Sequence, residues 1–122
     1  MQKDSKHGYA ETIALLTKTI AAAGNTIFVT IDQAKAAEGV GMTLRPTTLI
    51  VFGNPKGGTP LMDAHPEFAL ELPLKILVWE NAGKTTVAYA SMAEAAKRYG
   101  IEGDPRVAML DKALETLTAA IA

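Results

Sequence analysis

The chain has 122 residues, a formal net charge of -1 and no cysteine. This length predicts a single domain covering residues 1–122, and a charge near zero does not favour binding to nucleic acid. The absence of cysteine excludes disulfides, thiolate metal sites and cysteine nucleophiles. No apolar run approaches the ~20 residues of a membrane span, and the polar N-terminus is not a signal peptide. As it reads, the chain is cytoplasmic, and it is exported if a leader has been removed.

The first part of the chain predicts a helix and a strand. Residues 2–8 are polar and, by composition, form a tail. Apolar residues in 9–23 recur at intervals of three and four, which predicts a helix that ends at Gly24. Residues 26–32 alternate, with Ile27, Val29 and Ile31 on one side, so they predict a strand with one apolar face. Residues 33–42 are small and polar, and they predict a helical turn followed by a loop.

The central stretch, Arg45 to Met62, organises the rest of the chain. Its apolar run Thr47–Phe52 predicts a strand in the middle of a sheet, covered on both faces. A Gly-Asn-Pro sequence then ends the strand, and the glycine pair that follows allows positive φ. Thr59 with the proline after it predicts the start of a helix. The stretch therefore combines a strand, a glycine-rich turn and a capped helix.

This predicted turn is a candidate anion site. Free amides at a helix start attract anions, and Lys56 lies in the turn. Gly53 and the Gly58-Thr59 pair resemble a phosphate loop, but the lysine that such a loop requires is missing, so we exclude a nucleotide triphosphatase. Two interpretations stay open, a pocket for a small anion or carboxylate and a tight strand-to-helix corner without a ligand.

The second part of the chain predicts a hairpin between helices. Residues 60–70 are helical in pattern, with a break at His65 because a proline follows it. Residues 74–80 and 85–90 predict antiparallel strands joined by a short turn. Ser91 caps a helix that runs to about residue 99, and an Asp-Pro pair starts the last helix. That helix carries a narrow apolar stripe of Val107, Leu110, Leu114, Leu117 and Ile121.

The central stretch and the strand that follows it resemble the domain-of-unknown-function family 302. The matching motifs are Arg45–Leu49, Phe52–Lys56, Gly58–Met62 and Leu72–Glu80, and the resemblance spans nearly the whole chain. It implies a small α+β domain akin to the TATA-binding-protein-like fold, with a curved antiparallel sheet and helices on one side. It also implies a short edge strand within residues 2–8 and a tendency to form dimers. It implies no particular reaction.

No set of side chains predicts catalysis. His65 with Asp63 and Met62 is a weak metal candidate, because zinc and copper sites need three or four converging ligands. Of the two serines, Ser91 already caps a helix, no nucleophile-elbow pattern appears, and the carboxylates are scattered. We therefore predict no catalytic residue and no cofactor. Lys75 and Trp79 are of more interest, because an open face of an antiparallel sheet that carried them would suit a small ligand or a second protein.

Two functions follow as hypotheses. In the first, an α+β domain, with an antiparallel sheet of four or five strands and helices mainly on one face, is a binding or assembly module. It forms a homodimer and holds a small anionic or amphipathic ligand near the Gly53–Thr59 turn. In the second, it is an enzyme that uses Lys56, Lys75 or His65 as acid or base. The candidate ligand-binding residues are Arg45, Asn54, Lys56, Gly57, Gly58, Thr59, Met62, Lys75 and Trp79.

Overall fold

Five antiparallel strands form one sheet in the order β1-β5-β4-β3-β2 in the computed structural model, which describes residues 1–122. The strands are β1 (Gln2–Asp4), β2 (Thr26–Asp32), β3 (Thr47–Gly53), β4 (Leu74–Asn81) and β5 (Lys84–Ala88). The short β1 and the longer β2 are the two edges of the sheet. The predicted α+β fold is confirmed, and the N-terminal edge strand that the family resemblance implied is present.

The helices supply the other half of the hydrophobic core. They are α1 (Tyr9–Ala22), α2 (Gln33–Glu38), α3 (Pro55–Ala64), α4 (Met92–Arg98) and α5 (Pro105–Thr118), with short 3-10 helices at Pro66–Glu71 and Ala119–Ile121. A single cluster of 19 buried apolar residues joins the helices to the sheet. Four of the five predicted stripe residues are buried, including Ile121 in the last 3-10 helix, and the fifth, Leu110, is partly buried. The stripe therefore packs into the core of the same chain.

Most helix boundaries follow from the predicted caps. The Ser91 hydroxyl accepts from the Glu94 amide at 3.2 Å, and the Asp104 carboxylate accepts from the Arg106 amide at 3.0 Å. Gly24 has a φ of 85°, in the left-handed region that ends a helix. The predicted break at His65 is also present, because α3 ends at the preceding residue.

The β4–β5 hairpin has the predicted short turn. Asn81 pairs with Lys84, so two residues form the loop. Both have positive φ, 52° at Ala82 and 82° at Gly83, as the mirror-image turns of two-residue hairpins require. The turn therefore fixes the register in which β4 pairs with β5.

The prediction that β3 is covered on both faces is wrong. Its side chains alternate, and Thr48, Ile50 and Phe52 are buried while Leu49 and Val51 are only half-buried. The helices pack mainly against one face of the sheet, so the apolar side chains on the other face of β3 remain partly in solvent. The continuous apolar run of β3 therefore combines side chains that pack in the core with side chains on the partly solvent-exposed face of the sheet.

The predicted single apolar face of β2 is also wrong. Ile27 pairs with Phe52, but Val29 pairs with Val51, so a β-bulge inserts Phe28 between them. Directly opposed residues project from the same side of a sheet, and one extra residue reverses the alternation beyond it. Ile27 therefore lies on the core side, whereas Val29 and Ile31 lie on the opposite side.

The glycine-rich turn after β3 is the third correction. The helix α3 starts at Pro55 and not at Thr59, because the Asn54 side chain accepts from the Lys56 amide at 3.0 Å and caps it. Gly57 and Gly58 lie inside this helix, and neither has positive φ. Proline is well tolerated in the first turn of a helix, so Asn54-Pro55 serves as the cap that was predicted five residues later, at Thr59.

Candidate functional site

The amides at the predicted anion site already have acceptors. The amides of Gly57 and Gly58 donate to the Asn54 carbonyl at 3.0 and 2.8 Å, and that of Lys56 donates to the Asn54 side chain. Thr59 lies in the middle of α3, where its amide belongs to the helix. The physical basis for an anion site beyond Thr59 is therefore absent, although ligand binding by these residues stays a prediction.

The remaining residues predicted near this turn do not converge. Arg45 precedes β3 and Lys56 follows it, so a seven-residue strand of about 23 Å separates them. Both side chains are exposed. Met62 is half-buried, and its methyl group lies 3.7 Å from where a β-carbon of Gly58 would be. These residues therefore form a capped helix start and a separate strand entry.

The most extensive candidate surface is the side of the sheet opposite the helices. We define its open face as the outward side chains of the three strands on the β2 side of the sheet, and strand register identifies them. The apolar ones are Val29, Ile31, Leu49, Val51, Leu77 and Trp79, and Thr47 and Lys75 lie on the same side near the ends of β3 and β4. Phe28 extends this face, because its ring lies 3.4 Å from the position of a Gly53 β-carbon. Two predicted residues, Lys75 and Trp79, thus share one face of β4.

The open face is apolar and in contact with solvent. Phe28 is 55% exposed and Val29 is 47% exposed, while the side chains of β3 and β4 on this face are half-buried by their neighbours. Five of the eight large apolar residues that are exposed in the protein lie between residues 28 and 44. The exposed apolar surface is thus concentrated at β2 and at the connection from β2 to β3.

A cleft opens where the chain leaves β5. Its cavity volume is about 340 Å³, and seven of its nine lining residues are hydrophobic. Lys75 and Glu71 are its charged residues. The Lys75 ammonium donates to the Pro73 carbonyl at 3.3 Å and forms no ion pair, whereas Glu71 pairs with Arg98 at 2.5 Å. The cleft therefore combines apolar walls with one unpaired cation.

His65 belongs to a polar cluster at the start of α5. Its Nε2 lies 3.0 Å from the Asp104 carboxylate, which also accepts from the Arg106 guanidinium at 2.7 and 3.0 Å. The hydrogen bonds from Arg106 are the main reason that the pKa of Asp104 is held well below its ordinary value. The same pairing raises the pKa of Arg106. This arrangement ties the end of α3 to the start of α5.

The structure does not assemble the residues of the enzymatic hypothesis. Lys56 and Lys75 are exposed and form no ion pair, and His65 lies on a different part of the fold. No group of three or more histidine, aspartate or glutamate side chains is close enough to hold a metal ion. His65 has Asp104 as its partner, and Asp63 is not part of this cluster. Of these side chains, His65 is thus the one held by an ionisable partner.

Sequence reasoning missed several side chains that define these surfaces. The alternation in residues 26–32 places Phe28 on the side opposite Ile27 and Val29 and so does not predict its part in the open face. The Asp111 carboxylate on α5 accepts from the Met92 amide at 2.6 Å and so caps α4. The cleft residues Ala88 and Ala90 gave no sequence signal. An inserted bulge residue and a contact between distant helices both depend on tertiary packing, which local periodicity does not report.

The fold is similar to that of a solved protein. The crystal structure of an uncharacterized conserved DUF302 protein from Bacillus stearothermophilus superposes with a TM-score of 0.88 and 18% sequence identity, covering 100% of this chain and 97% of that chain. At this identity, the likeness shows a shared fold. No helix has the length and apolar character needed to cross a membrane.

Curated relatives have a higher sequence identity to this chain than the solved protein has. The protein named fluoride-specific ion channel FluC 1 of Brucella suis is 34% identical over 119 residues, which cover 97% of this chain and 46% of the relative. The protein named FluC 2 of Brucella melitensis is also 34% identical, over 43% of its length. The chain thus spans less than half the length of these relatives. The family described as domain of unknown function DUF302 matches residues 1–122, and the chain belongs to this family.

Proposed function

We propose that the protein is an assembly module that forms a homodimer through the open face of its sheet. The concentration of exposed apolar side chains on one side of the molecule carries this proposal. Phe28 and Val29 are about half exposed, and they adjoin the apolar side chains of β3 and β4. Contiguous apolar surface of this kind marks interaction sites in folded proteins.

The size of the face requires a contribution from the chain beside it. The three strands that carry the open face average about seven residues, so at about 3.3 Å per residue and about 4.8 Å between strands the face covers roughly 350 Å². Two such faces together bury roughly 700 Å², which is less than the roughly 1,000 Å² expected of a specific protein interface. The exposed Val40, Met42 and Leu44 beside the sheet add to this apolar area.

The charge distribution favours a second copy as the partner. In a two-fold dimer, residues near the symmetry axis meet their own copies, so a charge at the centre would face a like charge. The six apolar side chains at the centre of the open face carry no charge, and Lys75 is the charged residue on the same side. Lys75 lies at the end of β4, away from the centre, and Asp4 and Lys84 at the far edge pair with each other at 3.3 Å. Two copies therefore meet without central repulsion.

A pair of aspartate substitutions tests the interface. Val29→Asp places a charge on the open face and should give a monomer, because two copies would bury like charges. Met109→Asp introduces the same charge at an exposed position of α5 and should leave the dimer intact. Light scattering after size-exclusion chromatography measures the mass, and circular dichroism checks that both variants fold. Dimers of equal stability in both variants would exclude the open face as the interface.

The names of the curated relatives favour a second candidate, a module that supports fluoride transport. We infer this from the 34% identity over 119 residues to proteins named fluoride-specific ion channels. In this interpretation, the module assembles with a transport partner. The candidate rests on sequence relationship, whereas the dimer rests on the surface of this chain.

Replacement of the matched segment tests the second candidate. The full Brucella suis relative is placed in liposomes, and fluoride release is followed with a fluoride electrode. Deleting its matched segment should slow release, and inserting residues 1–122 of this chain should restore it. Equal release with and without the segment would contradict a role of the module in fluoride transport.

A further inference from the structure

We propose that the cleft beside β4 is a binding site for a small amphipathic monoanion, with a carboxylate at Lys75 and an aliphatic body against the apolar walls. This site is formed by one chain and borders the proposed dimer interface, because Leu49 and Leu77 belong to the open face and also line the cleft. It lies toward β5, whereas the exposed Phe28 and Val29 belong to the opposite edge strand.

The walls of the cleft define the apolar part of the ligand. Leu49, Leu77 and Ala88 line it from the sheet, and Tyr89 and Met92 line it where the chain passes from β5 to α4. The register of the β4–β5 pair extends only to Leu77 and Ala88, so the two chain segments separate beyond that pair. This separation opens a gap into which apolar side chains project, which is the usual character of small-molecule sites.

The volume of the cleft limits the size of the ligand. A cavity of about 340 Å³ lies at the lower end of the range of small-molecule sites. It has the volume of roughly ten water molecules, each of about 30 Å³. A ligand of roughly ten non-hydrogen atoms therefore fills it, such as a carboxylate with a medium-length alkyl chain.

The charges at the cleft select an anion. The Arg98 guanidinium lies against the Glu71 carboxylate, so the negative charge at the rim is compensated. The Lys75 ammonium has one contact, the Pro73 carbonyl, and retains donors for a ligand. A carboxylate would form a charge-assisted hydrogen bond with this ammonium, whereas an alkylammonium of the same length would be repelled.

Amide chemical shifts measured with octanoate test the proposal. Octanoate has ten non-hydrogen atoms, and octylammonium has a similar chain with the opposite charge. With the 15N-labelled full chain, octanoate should cause saturable shifts at Leu77 and in residues 88–92. Octylammonium should bind at least about ten-fold more weakly. Equal binding of the two probes, or octanoate shifts confined to other parts of the fold, would overturn the proposal.

Variants separate the role of the cation from that of the walls. Lys75→Met keeps an apolar side chain and should weaken octanoate about ten-fold, while Lys75→Arg should retain binding. Lys18→Met removes a charge at an exposed position of α1 and is the matched control. Ala90→Leu should weaken both probes by filling the cleft. If Lys75→Met bound octanoate as tightly as Lys18→Met, the ammonium would have no role and the proposal would fail.

A further variant distinguishes this site from the proposed dimer. Val29→Asp lies outside the cleft, so the folded variant should retain octanoate binding, and its monomeric state exposes the Leu49 and Leu77 walls that the proposed interface would cover. Retention in a monomeric variant would support the cleft as a site within one chain. Loss of binding in a folded Val29→Asp chain would contradict it.

Discussion

Among single residues, Asp104 combines the cap of α5 with a contact to the end of α3. It accepts from the Arg106 amide and guanidinium, and it pairs with His65, 39 positions earlier in the chain. The sequence predicted Asp104 as a helix cap and His65 as a loop residue. Their pairing could not be predicted, because it depends on how the end of α3 meets the start of α5.

Asp104 predicts a pH dependence of stability. Its pKa in the folded protein is depressed below the ordinary value of 3.8, chiefly by the hydrogen bonds from Arg106. The ionised carboxylate therefore stabilises the fold above about pH 4, and this contribution is lost as the pH falls through the folded pKa. Asp104→Asn keeps a capping oxygen but removes the charge. Urea unfolding should thus show a smaller loss of stability from pH 5 to pH 3 in this variant than in the wild type.

Asp63→Asn provides the control for this measurement. The Asp63 side chain is exposed on α3 and forms no ion pair, so this variant should follow the wild-type pH dependence. If Asp104→Asn also followed the wild type, the contacts of Asp104 would not contribute to stability in the manner described.

At the scale of elements, the start of α3 shows where local signals compete. Asn54-Pro55 and Thr59-Pro60 are both a capping residue followed by proline, and two glycines lie between them. Glycine composition favoured a turn and the later start. In the structure, the earlier pair caps the helix, and the later proline is accommodated within it. The choice depends on where β3 ends against its neighbours, which the local sequence does not specify.

Two alanine variants test this boundary. Asn54→Ala removes the side chain that accepts from the Lys56 amide and should lower the free energy of unfolding by about 1 kcal/mol. Thr59→Ala removes a hydroxyl from inside the helix and should change it by less than about 0.5 kcal/mol. Chemical denaturation measures both. A larger loss in Thr59→Ala than in Asn54→Ala would place the helix start at Thr59.

The bulge in β2 shows a second limit at this scale. The alternation of Ile27, Val29 and Ile31 predicted the correct strand bounds but the wrong faces. One inserted residue leaves a strand pattern recognisable while reversing the side chains beyond it. The hairpin turn and the caps of α4 and α5 were predictable, since their residues act within a few positions.

At the scale of the whole molecule, the fold was predictable from the sequence, but the open face and the cleft were not. Strand patterns, helix caps and the family resemblance together predicted an antiparallel sheet with helices mainly on one face, and the structure confirms it. Prediction of the open face required the register of three strands and the position of the bulge, which the sequence does not give. Prediction of the cleft required knowledge that the chain after Ala88 separates from β4. Both arise from tertiary arrangement.

Trp79 provides the most direct measurement of the proposed dimer. It is the single tryptophan and lies half-buried on the open face. Its emission and its quenching by acrylamide should be followed over a dilution series, with the mass measured by sedimentation equilibrium. We predict a mass of twice 12.9 kDa at high concentration, and a red shift with stronger quenching as the mass halves on dilution. A mass of 12.9 kDa at every concentration, or dissociation without a change at Trp79, would contradict the account.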